Sequence, residues 1–188
     1  MSDKVCEYCG DVMMFCKCYE EYLDKNRERL KSENTLNDLR EDIKEKTALH
    51  TALALAINHH EGQMDKAGKP YIEHPLRLMD QMESEEEKIV AVLHDIVEDT
   101  DISLDDLRNE GFSEEVLSAI ECVTIKDGED YDSFIERISF NPLAVKVKLA
   151  DLEDNMDLTR LPEVTDKDFE RVSKYKRAKE RLMRSSTN

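Results

Sequence analysis

The 188-residue chain carries 44 acidic against 27 basic side chains, for a net charge of −17, and its 39% hydrophobic residues suffice for one domain of ordinary size plus a small appendage. That balance disfavours general affinity for nucleic-acid backbones or anionic membranes, so neither is expected as a partner. No basic-then-apolar leader and no stretch approaching a membrane span occurs in the sequence, so a cytoplasmic setting with reduced thiols is expected.

The first element is a cysteine cluster. Cys6, Cys9, Cys16 and Cys18 form two pairs, spaced C-x2-C and C-x-C, with Gly10 permitting a tight turn after the first. Thiolates at this spacing suit tetrahedral zinc better than disulfides, so residues 1–18 are expected to form a small structural zinc knuckle. The alternative is a cysteine-bearing terminus without metal. Residues 19–46 are dense in charge, with apolar Tyr22, Leu23, Leu30, Leu36, Leu39 and Ile43 at spacings that suit narrow helical stripes. They read as a charged helical linker and a first helix.

The main domain is expected over 47–188 and should be all-α. Residues 47–60 form a helix rich in small residues, and the first strong break falls at 62–70. Further helix starts are marked by Pro75, by Ser84 with Glu87, by Ser103, by Ser113, by Tyr131 or Asp132, and by Asn141-Pro142. Alternation of β-branched residues over five or more positions is absent. Cys122 stands in an apolar helical pattern and reads as core. The C-terminal Arg171, Lys174, Lys176, Arg177, Lys179, Arg181 and Arg184 have only Glu180 as an acidic neighbour. They read as a solvated helix face packed against an acidic body, with a phosphate-attracting surface as the sharper alternative.

Within this helical frame, His94-Asp95-Ile96-Val97-Glu98-Asp99-Thr100 is the most informative run. It reads as the end of an amphipathic helix whose apolar side faces the core and whose polar side chains cluster at the C-terminal end. An imidazole beside a carboxylate can hold a divalent metal, and acids one turn later can act on a water bound to it. Acids are also disfavoured by the dipole at a helix C-terminus, so a nearby cation is the economical explanation for Glu98 and Asp99. His74, before Pro75, and Asp151, beside the apolar stripe Val145, Leu149 and Leu152, could complete a metal shell. His50, His59 and His60 read as structural.

Three segments, DKAGKPYIEHP at 65–75, VLHDIVEDT at 92–100 and VKLADLEDN at 147–155, in this order and spacing, resemble the HD-domain hydrolase module of RelA/SpoT proteins and the small alarmone hydrolases. The resemblance covers roughly 45–185 and implies a helical HD-domain fold. It implies that His74, His94, Asp95 and Asp151 bind one divalent ion, manganese in the family, and that Glu98 and Asp99 position or deprotonate the attacking water. It further implies that Asn155 hydrogen-bonds a substrate ribose and that Lys66 lies near the phosphates. The implied reaction removes pyrophosphate from the 3′ position of a guanosine tetra- or pentaphosphate, with a small nucleotide as the partner molecule.

Two positions depart from the family pattern. Asp65 stands where an Arg usually precedes the Lys and stacks on guanine, and Asp157 replaces an Arg beyond the asparagine. A guanidinium stacks on a base and attracts phosphate, and a carboxylate does neither. Two alternatives to the guanosine 3′-pyrophosphate reading therefore stand beside it. One is an HD phosphohydrolase acting on another nucleotide, adenine-based or a phosphomonoester. The other is a non-enzymatic HD-fold interaction protein.

Overall fold

A computed structural model describes residues 48–185. The chain divides into two units, Met1–Thr47 and Ala48–Asn188. The cysteine knuckle and charged linker expected over 1–46 lie outside the described residues. Among the described residues the structure is helical, and the one β-feature is an isolated antiparallel bridge between Met64 and Pro70.

The described chain opens in α1, helical over 48–59, and continues through α2 (Glu73–Met79), α3 (Glu85–Leu93), α4 (Ile96–Asp99) and α5 (Leu104–Asn109). Then come α6 (Glu114–Val123), α7 (Tyr131–Ile138), α8 (Pro142–Met156), a 3-10 turn at Leu158–Arg160, and α9 (Asp166–Ser185). Side-chain caps set most of the starts. Ser84 and Ser103 form reciprocal capping boxes with Glu87 and Asp106, Ser113 accepts from the Val116 N–H, and Asn141 accepts from the Ala144 N–H ahead of Pro142. The start of α7 is the first of the two positions that the sequence offered. Asp130 is its cap and accepts from the backbone of both Asp132 and Ser133, so the helix begins at Tyr131.

A single core is built from the inward faces of these helices. Leu78, Leu93, Ile96, Leu107, Ile120, Ile135, Ile138, Leu152 and Leu182 are completely or almost completely buried in it. Each removes apolar surface from water worth about 1.5–3 kcal/mol. Cys122 is half-buried against the core, as expected. The long α8 packs on α2, α3, α6, α7 and α9, so its buried face is the axis of the domain. Lys146 of α8 reaches Glu87 of α3 at 2.8 Å, tying the capping box of one helix to the other.

The basic stretch in α9 divides between the two readings: most of its members pair at the surface, while Arg171 also lines a pocket. Arg171 pairs with Asp168, Lys179 with Glu153, Arg181 with Glu136, and Lys174 lies 3.5 Å from the centre of the Tyr131 ring. Ala178 and Leu182, which lie along the same helix face as Arg171 and Lys174, enter the core. No described helix is long and apolar enough to cross a membrane.

Candidate active site

The run from Val90 to Asp99 is two helices, where the sequence led us to expect one. Helix α3 ends at Leu93 with His94 as its C-cap, and the four-residue α4 begins after Asp95. The cause lies in His94 itself. Its Nδ1 donates to the carbonyl of Ala91 at 2.8 Å, the acceptor that the Asp95 N–H would use in a continuing α-helix. The chain turns there, and Glu98 and Asp99 occupy a short helix of their own, so the argument from an adverse dipole at a long helix's end does not apply to them.

Bonding through Nδ1 leaves His94 Nε2 as the atom aimed into the site. It is fully buried and makes no hydrogen bond, although Asp95 Oδ2 is 2.8 Å away. His74, near the start of α2, brings its Nε2 to 3.2 Å from Asp151 Oδ1 and 3.9 Å from Asp95 Oδ2. Asp151 Oδ1 is 3.8 Å from His94 Nε2. Single donor atoms of His74, His94 and Asp95 lie within 4.8 Å of one another, a grouping able to hold a metal ion, and Asp151 joins it from α8. Two imidazoles and two carboxylates form a shell suited to manganese or iron, without excluding zinc or magnesium. A buried imidazole nitrogen without a partner beside two carboxylates is the arrangement such an ion would satisfy.

The electrostatics are those of a concentrated, partly neutralised acid cluster. Burial alone would push the His74 imidazolium down, but hydrogen bonds to Asp151 and Asp154 outweigh it and hold the ring up at about 9. Burial works against the Asp151 carboxylate too, and Lys148 above all holds it well below the usual range; Lys148 Nζ is 2.7 Å from Asp151 Oδ2. The Tyr71 hydroxyl, pushed up by burial and by Asp95, donates to Asp95 Oδ2. Glu98 and Asp99 are both raised, chiefly by burial and in part by Asp95. Carboxylates shifted in this direction are better proton acceptors near neutral pH than exposed ones.

These residues line a pocket of about 510 Å³. Its wall brings together seven of the eight residues expected at the hydrolase site, Lys66, His74, Asp95, Glu98, Asp99, Asp151 and Asn155, while the eighth, His94, is buried. Two of them also have local contacts beyond the roles that the resemblance implies. Asn155 already donates through Nδ2 to Asp151 Oδ1 at 2.5 Å, so it braces a cluster residue as well as facing the pocket. Lys66 sits exposed on a turn whose organiser is Asp65. One Asp65 oxygen accepts from the backbone of Ala67 at 2.8 Å and of Lys69 at 2.9 Å, and the turn passes through Gly68 at φ +73°. The departure at Asp65 therefore has a local structural role.

Several pocket residues escaped the sequence reading. Lys148 could have been found as a Lys three residues before Asp151, on the same helix face. Tyr71, Asp154, Arg160 and Tyr175 carried no local signal, because their approach to the site depends on how the helices pack, and Arg171 was marked only as a member of the basic C-terminal stretch. Arg77 pairs with Asp154 at 2.7 Å. His60, which the sequence reads as structural, has its Nδ1 2.8 Å from Gln63 Oε1 and its ring 4.9 Å from that of Tyr71.

No family model matches the sequence. Among curated proteins, a guanosine-3′,5′-bis(diphosphate) 3′-pyrophosphohydrolase of Aquifex aeolicus is 32% identical over 120 residues, covering 57% of this chain and 17% of the relative. One of the same name from Borreliella burgdorferi is 30% identical over 156 residues, covering 74% of this chain and 23% of the relative. The chain thus spans about a fifth of the length of these relatives. Among solved structures, one described as a metazoan ortholog of SpoT that hydrolyzes ppGpp superposes with a TM-score of 0.59 and 25% identity, covering 73% of this chain and 84% of that one.

Proposed function

We infer that this chain, whose described domain is an HD domain of the RelA/SpoT type, is a metal-dependent nucleotide pyrophosphohydrolase acting on guanosine 3′-pyrophosphates. The observation that carries the reading is the meeting of His74, His94, Asp95 and Asp151, with Glu98 and Asp99 beside them on one pocket. The names of the curated relatives and of the structural neighbour support the same substrate class.

In this reading His74, His94, Asp95 and Asp151 hold one divalent ion, manganese by resemblance. Such an ion supplies Lewis acidity at a phosphoryl oxygen and makes water acidic enough to attack near neutral pH. Glu98 and Asp99, with raised carboxylate pKa values, take the proton from the attacking water. Attack at phosphorus forms a new P–O bond and breaks the bond to the 3′-oxygen. Pyrophosphate is released and the 3′-oxygen collects a proton. Lys66 and Asn155, both on the pocket wall, are proposed to contact phosphate and ribose. The cysteine cluster at Cys6, Cys9, Cys16 and Cys18 is proposed as a separate structural zinc clip.

A second reading keeps the site and changes the base. It is favoured by Asp65, a carboxylate where the family pattern has the guanine-stacking Arg, and one committed to its own turn and to Arg160 at 3.6 Å. One experiment separates the readings. The protein is incubated with manganese and guanosine or adenosine 3′-pyrophosphates, the matching monophosphates, and NADPH, and the products are identified by mass. Pyrophosphate from the guanosine substrate alone supports the first. Faster release from another substrate supports the second. Inactivity throughout, with the ion bound, leaves a binding protein on an HD scaffold.

A further inference from the structure

Both ring nitrogens of His74 are committed. Nε2 faces Asp151 and the metal-ligand group, and Nδ1 lies 2.7 Å from Asp154 Oδ2. An ionised carboxylate can only accept, so the proton of that bond is on Nδ1 and the lone pair of a neutral ring is left on Nε2. Asp151 and Asp154 are three residues apart on α8, on one helix face, and each addresses a different nitrogen of the same ring.

Asp154 is itself fixed. Its side chain is 8% exposed, and Arg77 grips it through both oxygens, Nε to Oδ1 at 2.7 Å and Nη2 to Oδ2 at 3.0 Å. Arg160 adds Nη2 to Oδ2 at 2.9 Å and to the Asp154 carbonyl at 2.6 Å. Bidentate, charge-assisted bonds of this kind fix orientation as well as charge. Arg77 lies one turn after His74 on α2, so the clamp that holds the carboxylate also holds the helix bearing the ligand. Arg160 reaches on to Asp65 of the Lys66 turn at 3.6 Å.

We infer that Asp154 is a positioning residue for the metal site: held by Arg77 and Arg160, it fixes the tautomer and ring plane of His74 so that Nε2 points at the ion. The inference rests on the metal reading above, and the carboxylate-to-imidazole bond is also testable without any ion. A ligand histidine braced in this way loses about 10–100-fold in metal affinity when the brace is removed.

The test compares the wild type with Asp154→Ala, Asp154→Asn and, as a neighbouring control, Glu153→Ala. Manganese affinity is measured by calorimetry, and the low-field Nδ1 proton of His74 is observed by NMR in metal-free protein. Asp154→Ala should bind manganese about 10–100-fold more weakly and lose the low-field proton. Asp154→Asn, which keeps an acceptor, should recover most of the affinity and shift the proton upfield, and Glu153→Ala should match the wild type. Wild-type affinity in Asp154→Ala, equal losses in the Ala and Asn variants, or an unchanged proton would overturn the inference. Should Asp154→Ala fail to fold, the position of the proton in Asp154→Asn decides. A wild type that binds no ion would refute the metal reading, while the proton would still decide whether Asp154 orients His74.

Discussion

Glu98 Oε2 accepts a hydrogen bond from the backbone N–H of Ile125 at 3.1 Å, which anchors one of the two site acids to the segment that follows α6. The carboxylate of its neighbour Asp99 meets the Tyr71 side chain instead of a backbone N–H, and its backbone carbonyl accepts from Gln63 at 3.1 Å. The pair is therefore asymmetric. We expect Glu98→Gln and Asp99→Asn each to lower turnover by about 10²–10⁴-fold while leaving manganese affinity within a few-fold of wild type. Steady-state pyrophosphate release and calorimetry on the same preparations check this. A comparable loss of ion binding would move the acids into the ligand set.

The donor group predicts a stabilising ion. An ion that binds only the folded protein adds about 2.7 kcal/mol when its free concentration is 100 times its dissociation constant. Manganese should raise the unfolding temperature, and a chelator should reverse the rise and abolish turnover. In His94→Ala and Asp151→Asn the rise should disappear. Thermal unfolding with and without manganese reads all three.

The anchor for Glu98 depends on a second knot. Arg137 donates to the carbonyls of Glu121, Cys122 and Thr124 and to the Glu129 carboxylate, closing the end of α6 and the turn after it. Arg137→Ala should cost about 2 kcal/mol through carbonyls left without their donor. Because that turn also presents the Ile125 N–H, turnover should fall with stability. Urea unfolding and activity below the transition are the measurements.

The same knot has a pH signature. The hydrogen bond from Arg137 lowers the Glu129 carboxyl to about 2. A group whose folded pKa is depressed contributes stability that is complete above its unfolded value, roughly 4.3, and is lost as pH falls through the folded one. The stability difference between wild type and Glu129→Gln should therefore be constant above about pH 5 and shrink between roughly pH 4.3 and 2. A difference unchanged down to pH 2 would show that the pair does not form in solution.

For the Lys66 turn, Asp65→Ala removes the acceptor shared by two backbone N–H groups and the contact to Arg160. Loss of about 1 kcal/mol of ordering corresponds to roughly a 5-fold rise in KM. Turnover at saturation should change little, since none of the site acids or cluster histidines touches Asp65. A fall in kcat with unchanged KM would argue that the turn acts on the chemistry instead.

The sequence by itself determined the helical class, most of the helix starts, and seven of the residues that line the pocket. Those features are local: a cap accepts from the backbone N–H three residues on, as Ser84 does from Glu87, and the motif around His94-Asp95 is contiguous. It did not reveal that the helix breaks at His94, because the break comes from a side chain taking the Ala91 carbonyl, a choice that spacing cannot register. Nor did it reveal Asp154, Arg77 and Arg160 as one unit. His74 and Asp154 are 80 residues apart in the chain and 2.7 Å apart in space, and only the packing of α2 on α8 makes them partners. Local hydrogen bonding is written in neighbouring residues, whereas the orientation of a ligand ring is set by whatever the fold brings to its other nitrogen.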